Sequence, residues 1–458
     1  MRHEPMLARR EDGSTLAILA LVVSTCAIAA GAPRALAVLA AASILALLLL
    51  NWRHIPRRLA QMAIGMAAVG AMLLPFTADP PGAIAAGLNI GGIFLSLMTS
   101  VSMLVAVARR SDLFKRIAAA LFDPDLPAPT LWMTGCAHLF PALLNIGGAV
   151  LLCEMASTRR ADENGSTELP VLAVIHRGFL SACCWSPIFG NLALILLAYP
   201  ELAWPDVAPL GLGFGILASL VSMAVGPAML RSASPRPEVA AELARGLAPL
   251  VGLMLVFLAS SLVLHALTGL PTAIVIVAQT PLYALLCHRI LSGSGRAAVR
   301  GFVGDVRRLV PGYAPEAIFF ASGGSMMMIL SGAIPPGALD MVAAFAAGSA
   351  IRSILILMGL SVAFAAVGVH PFLTALFLAN TLSPATLGLA PLPHFMTILY
   401  ACAISFGGSP YTLLSLVVAR YSQRSPYTLV YGWNGPFLAA AFAAGALVLW
   451  IIARVGSA

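Results

Sequence analysis

Apolar stretches of about 20 residues follow one another along the chain, separated by short polar or basic loops. That length crosses the hydrocarbon core of a bilayer as an α-helix. Spans are predicted at 14–30, 35–51, 59–76, 84–108, 172–199, 207–230, 247–267, 271–288, 313–333, 393–419 and 432–453, eleven in all. Two more apolar segments, about 130–156 and 342–388, do not fit as simple crossings. The basic residues of the loops show why.

Cytoplasmic loops carry an excess of Lys and Arg. Arg9 and Arg10 place the N-terminus inside, and "NWRHIPRR" (51–58), "RRSDLFKR" (109–116), "RSASPRPEVAAELAR" (231–245) and "RYSQRSPY" (420–427) fall inside in turn. "TADPPGA" (77–83), "YPELAWPD" (199–206), "PPGALD" (335–340) and "SPATLGLAPLP" (383–393) contain no base and fall outside. If 130–156 crossed, "STRRADENGSTE" (157–168) would lie outside against this rule. A re-entrant hairpin at 130–156, entering from inside, removes the conflict, and one at 342–388, entering from outside, keeps the second half consistent. The N-terminus is then cytoplasmic and the C-terminus external, with Arg34 the one exception, in a very short outer turn. "HRILSGSGRAAVRGFVGDVRR" (288–308) is a cytoplasmic linker with an amphipathic piece at 296–308. The basic start "MRHEPMLARR" resembles a cleaved signal, but the apolar run after it is long and Glu4, Glu11 and Asp12 dilute its charge, so a first transmembrane helix is expected.

Composition agrees. Of 458 residues 60% are hydrophobic and 10% charged, against about 25% charged in soluble domains. Mean hydropathy is +0.95. The fold class is therefore an all-α polytopic membrane protein. The net charge of +8 resides in loop arginines, as orientation signals do, and not in a nucleic-acid surface. Seven scattered cysteines show no metal-ligand spacing. No P-loop, nucleophile elbow or H-E-x-x-H motif is present, so no catalytic centre, cofactor or ATP-driven cycle is expected from this chain.

Two spans are interrupted alike. "CCWSPIFGN" (183–191) breaks 172–199, and "FGGSPYTLL" (406–414) breaks 393–419, with Ser186-Pro187 matching Ser409-Pro410. Proline removes a backbone N–H and frees a carbonyl. In lipid that is tolerated where protein or a wet cavity covers it. Each half carries a span, a hairpin, a broken span and a closing span, in opposite senses. Inverted repeats of this kind are a signature of secondary transporters. The halves read as scaffold helices 1–83, repeat 1 over 84–230, scaffold helices with the amphipathic linker over 231–312, and repeat 2 over 313–458.

The candidate site residues are Asn145 and Gly147 at the first hairpin tip, Ser186 and Pro187 at the first break, His370 and Thr374 at the second tip, and Ser409, Pro410 and Thr412 at the second break. Freed carbonyls with serine and threonine hydroxyls suit a small cation, so sodium is the expected coupling ion, near Asn145/Ser186 and Thr374/Ser409. Helix N-termini created by the breaks would face an anionic group. His138 is expected to donate a hydrogen bond, Glu154 to be solvated, and Arg352 to snorkel or pair with Asp340. The G-x-x-x-G spacings Gly87/Gly91 and Gly211/Gly215 suit close helix packing.

The order of parts resembles the ion transporter superfamily, which includes divalent anion:sodium symporters, arsenite pumps and sodium/proton antiporters. The likeness covers most of 84–450, with local echoes at "SDLFKRIA" (111–118), the Asn145 hairpin and both Ser-Pro pairs. It implies sodium and carboxylate ligands at Ser-Asn-Thr hairpin tips. Here the first tip offers Asn145 without the flanking Ser and Thr, and the second offers His370-Pro371. Antiport and arsenite extrusion would need carboxylates deep in the membrane, whereas an organic-anion carrier needs hydroxyls, amides and dipoles. The expected function is a cation-coupled permease of a small organic anion in the inner membrane, among lipid and as a homodimer. An inorganic-ion carrier or antiporter of the same fold, a passive channel, or a non-catalytic membrane subunit are the alternatives.

Overall fold

The computed structural model describes residues 4–33, 35–160, 169–225 and 232–455. Arg34, most of the loop read at 157–168 and the end of the span read at 207–230 lie outside those residues. Helices follow the chain as α1 (Glu4–Ala29), α2 (Leu36–Asn51), α3 (Arg57–Leu73), α4 (Pro80–Arg110), α5 (Asp112–Leu121), α6 (Pro129–Leu144), α7 (Ile146–Arg160), α8 (Leu169–Cys183), α9 (Gly190–Ile195), α10 (Trp204–Ala224) and α11 (Pro237–Thr268). They continue as α12 (Thr272–Ser292), α13 (Gly295–Leu309), α14 (Ala314–Ala333), α15 (Pro336–Ala346), α16 (Ala350–Ala366), α17 (Pro371–Thr381), α18 (Pro384–Leu387), α19 (Pro391–Gly408), α20 (Leu413–Ser422) and α21 (Gly435–Val455). Among the described residues ten helical segments are long and apolar enough to cross a membrane. The chain is an all-α polytopic membrane protein.

Several boundaries differ from the sequence reading for identifiable reasons. The interruption read within 172–199 is present, with the chain out of helix over 184–189, but the first helix already starts at Leu169. The segments read as loops at 109–116 and 335–340 contain helix starts: Ser111 caps α5 by accepting from Leu113 N–H, and "PPGALD" runs into α15. The segment 342–388 holds the end of α15, the α16–α17 hairpin and α18.

The chain divides into two units, Met1–Val107 with Ser260–Ala338, and Ala108–Ala259 with Leu339–Ala458. Their boundaries fall inside α4, α11 and α15. In the first unit Ile18, Leu21, Ile44, Leu47, Leu95, Val306 and Val310 build the core. Helices α4 and α14 meet at glycines there: a Cβ on Gly324 would lie 2.8 Å from the Gly87 carbonyl oxygen, and one on Gly91 3.0 Å from that of Phe320. The first G-x-x-x-G spacing is thus a true close-packing face. Helix α13 is the amphipathic helix expected at 296–308, joining α12 to α14.

In the second unit α8 and α19 are buried along almost their whole lengths. They are wrapped by α6, α10, α16, α17 and α21. Gly211 and Gly215 let α10 reach the end of α8, since a Cβ on Gly215 would fall 2.6 Å from the Ser181 carbonyl oxygen.

Candidate functional site

The second unit holds both interrupted helices. An α-helix bonds each carbonyl to the N–H four residues on. Pro187 therefore orphans the Cys183 carbonyl, and Pro410 orphans that of Phe406. Both orphans are re-satisfied by a side chain from beyond the break. Asn191 Nδ2 donates to Cys183 O at 3.3 Å, and Thr412 Oγ1 donates to Phe406 O at 3.0 Å. The two breaks share one local solution.

Further hydrogen bonds hold the first break. Trp185 Nε1 donates to His138 Nε2 at 2.7 Å, and Trp204 Nε1 donates to Trp185 O at 3.0 Å. Ser186 Oγ donates to Ala142 O at 2.7 Å and accepts from Ile188 N–H. Asn145 Nδ2 donates to Ile188 O at 3.4 Å, so the hairpin tip reaches the break. His138, expected to donate, accepts from the indole through Nε2. Its Nδ1 lies 3.4 Å from Ser219 Oγ, and donation there is the complementary tautomer.

The tip itself depends on Asn145 and a glycine. Asn145 has φ 51 and ψ −139, a positive-φ conformation outside the left-handed helical well, and its Oδ1 accepts from Ile146 N–H at 2.6 Å. Gly147, singled out in the sequence, is half-buried in the first turn of α7. Its neighbour Gly148 carries the constraint, because a Cβ there would collide with the Phe140 backbone.

At the second break Ser409 O accepts from Ser415 Oγ at 2.8 Å and from Thr412 Oγ1 at 3.3 Å, while Tyr411 N–H donates to Ser409 Oγ. Thr412 also caps α20 by accepting from Ser415 N–H. The expectation that freed carbonyls stand open for a cation is corrected at Cys183 and Phe406, since hydroxyl and amide donors occupy both. The N-terminus of α20 is capped by Thr412, whereas α9 is only six residues long and its N-cap, Phe189, makes no side-chain capping bond. His370 caps α17, accepting from Phe372 N–H, and its ring stands edge-on to Phe406 with centroids 5.4 Å apart. The second hairpin tip thus meets the second broken helix as the first tip meets the first.

Uncommitted oxygen atoms lie elsewhere. Thr374 Oγ1, Ser405 Oγ and Asn191 Oδ1 are buried without a hydrogen-bond partner. They belong to α17, α19 and α9, three mutually packed helices. Hard oxygens lacking donors are what a small cation would use. Ser405 and Asn191 escaped the sequence reading; Thr374 did not.

The larger omission is the pair His176-Arg177. Arg177 is 1% exposed, in α8. It donates from Nε to Asn434 Oδ1 at 2.8 Å, and from its terminal nitrogens to Trp433 O at 3.1 Å and Ser222 O at 3.3 Å. Its face lies over Phe437 at 4.9 Å. No carboxylate pairs with it among the described residues. Its partners sit at the end of a π-helical turn, Thr428–Trp433, and in the last turn of α10, where carbonyls lack intrahelical donors and carry partial negative charge. His176 joins this cluster to the second break: one ring nitrogen is 3.3 Å from Asn434 Nδ2, the other 3.2 Å from Ser415 Oγ. An ionisable pair inside the run "LAVIHRGFL" was the available signal.

No protein-family model matches the chain, and no curated protein sequence matches it. Among solved structures it is similar to the crystal structure of the Alcanivorax borkumensis YdaH transporter, whose topology is described as unusual. The TM-score is 0.40 at 13% identity, over 87% of this chain and 98% of that one.

The remaining expectations resolve simply. Glu154 pairs with Arg109 at 2.9 Å with both side chains well exposed, so it is solvated as expected. Arg352 does not reach Asp340. It donates to Ala347 O at 2.7 Å and lies over Phe345. Among the described residues no cluster of His, Cys, Asp and Glu suits a metal ion.

Proposed function

We propose that the protein is a secondary active transporter of a small organic anion, a carboxylate, coupled to sodium by alternating access. The observation that carries this reading is the pairing of the breaks. Two helices are interrupted at Ser-Pro, each has its orphaned carbonyl repaired by a residue from beyond the break, and each is met by a hairpin tip. Broken helices opposed in this way at a midplane are how carriers of inverted-repeat design build a site. Repeats 84–230 and 313–458 are the proposed symmetric halves.

Charge supports an anionic cargo. Arg177 is buried in the second unit, and no Asp or Glu is buried there among its described residues. A proton-driven antiporter would place a carboxylate in that interior. Sodium needs only neutral oxygens, for which Thr374, Ser405 and Asn191 are the candidates. The proposed setting is the inner membrane, N-terminus cytoplasmic and C-terminus external, as a homodimer.

The test is a thermal-shift screen of purified protein against carboxylates in sodium, lithium or choline, followed by uptake into proteoliposomes. A carboxylate that stabilises only in sodium, and accumulates with an inward sodium gradient at fixed pH, is the expected result. Accumulation driven by a pH gradient alone would transfer the coupling to protons, and flux that neither saturates nor shows counterflow would make the protein a channel.

A further inference from the structure

We infer that α13 is a docking surface for anionic phospholipid. The helix lies between the end of one span-length helix, α12, and the start of another, α14. One flank is packed inward by Ala298, Asp305 and Val306. The opposite flank exposes Arg296, Arg300 and Arg307 at i, i+4 and i+11, bordered by exposed Val299 and Val303 at i and i+4. An apolar strip beside a basic one on a helix joining two spans is the pattern of an interfacial helix.

The one acid of α13 is turned away from this surface. Asp305 is 5% exposed, 3.1 Å from His288 Nε2 and 2.8 Å from Arg308. Arg307 is held by Asp12 at 3.1 Å, which ties α13 to the start of α1. Arg296 and Arg300 have no carboxylate partner among the described residues. Their charge is therefore complementary to a phosphate headgroup.

A second feature marks the same level. Arg10 bonds the His54 ring at 3.0 Å, placing the α2–α3 turn beside the start of α1. In that turn Trp52 is 63% exposed with the Arg53 guanidinium 5.4 Å over its ring. Tryptophan exposed next to arginine is characteristic of the headgroup layer. The first unit thus carries an aromatic anchor and a basic helix at one end, on the side that the loop charges assign to the cytoplasm. The inner leaflet is the anionic surface there, and it attracts each basic residue near it.

The experiment titrates full-length protein in neutral detergent with phosphatidylglycerol, phosphatidylcholine or glycerol phosphate, following the thermal unfolding midpoint. Phosphatidylglycerol is expected to raise the midpoint and the other two to leave it unchanged. In Arg296→Gln/Arg300→Gln the half-saturating lipid concentration should rise about fivefold for each arginine removed, while Arg296→Lys/Arg300→Lys responds as the parent does. Val299→Ser/Val303→Ser should weaken the response and keep its preference for the anionic lipid. An unchanged response in the glutamine pair, an equal response to phosphatidylcholine, or saturation by glycerol phosphate would each overturn the inference. If the glutamine pair fails to fold, loss of the lipid response in Val299→Ser/Val303→Ser supports the inference and its full retention overturns it.

Discussion

Removing Asn434 should harm the fold more than removing the charge that it serves. Arg177 spends three donors on Asn434 Oδ1, Trp433 O and Ser222 O. Hydrogen bonds to a charged group contribute about 1.5–3 kcal/mol each, so the three together are of order 5–9 kcal/mol gross. Burying a guanidinium without a carboxylate costs several kcal/mol in desolvation. Arg177→Met gives up the bonds and recovers the desolvation, for a net loss of about 0–2 kcal/mol with Phe437 still packed on the replacement. Asn434→Leu keeps the charge and deletes the acceptor of Nε and the neighbour of His176. Deleting a neutral acceptor from a buried charged donor costs about 1.5–3 kcal/mol, and more where the charge is left short of partners. Its unfolding constant should rise at least about 10-fold, read by equilibrium unfolding in mixed detergent micelles. The double variant should recover most of the loss, because no charge remains to be stranded. If Arg177→Met is as damaging as Asn434→Leu, or the double variant is no better than Asn434→Leu alone, the charge is not compensated as argued.

Asn191→Leu and Thr412→Val should each lower uptake at least about tenfold while folded yield stays near parental, since each strands one buried carbonyl at about 1–3 kcal/mol; parental uptake in both would detach the breaks from function. Gly148→Ala should abolish folded yield on size-exclusion chromatography, because a Cβ there would be driven into the Phe140 backbone; parental yield would show that the hairpin can open to admit it. Single cysteines at Ser166 and Ser383 on a cysteine-free background should label from opposite sides of the membrane, and labelling of both from the cytoplasm would remove the two-hairpin topology. Ala replacements at Ser405 and Thr374 should weaken sodium dependence more than carboxylate binding, measured as half-saturating concentrations; equal effects on both would dissociate these oxygens from the cation.

Legibility in the sequence followed the range of each signal. The spans, the breaks and both hairpin turns rest on local composition, so apolar length, Ser-Pro and the Asn145-Ile-Gly-Gly and His-Pro stretches revealed them. Proline also fixes which carbonyl it orphans, four residues back, so Asn191 and Thr412 were within reach of that arithmetic. Arg177 was visible as a charge in an apolar run, but Asn434, its partner, lies 257 positions away and no spacing rule joins them. The close approach of Gly148 to the Phe140 backbone depends on the angle at which α7 leaves the tip, which composition does not encode.

The interleaving of the two units sets an order on synthesis. Residues 108–259 are made between the two segments that build the first unit. At about 5–20 residues per second, that interval lasts roughly 8–30 s. Through it α3 waits for α14, the partner that packs along it. Its glycine at position 70, which seats on Met326, faces lipid or the insertion machinery meanwhile. The second unit waits in turn, with α8 inserted and buried Arg177 lacking Asn434 until another 257 residues have been made. A guanidinium held that long without its acceptor has to remain near water, so α8 cannot settle at its final depth until α21 follows it into the membrane.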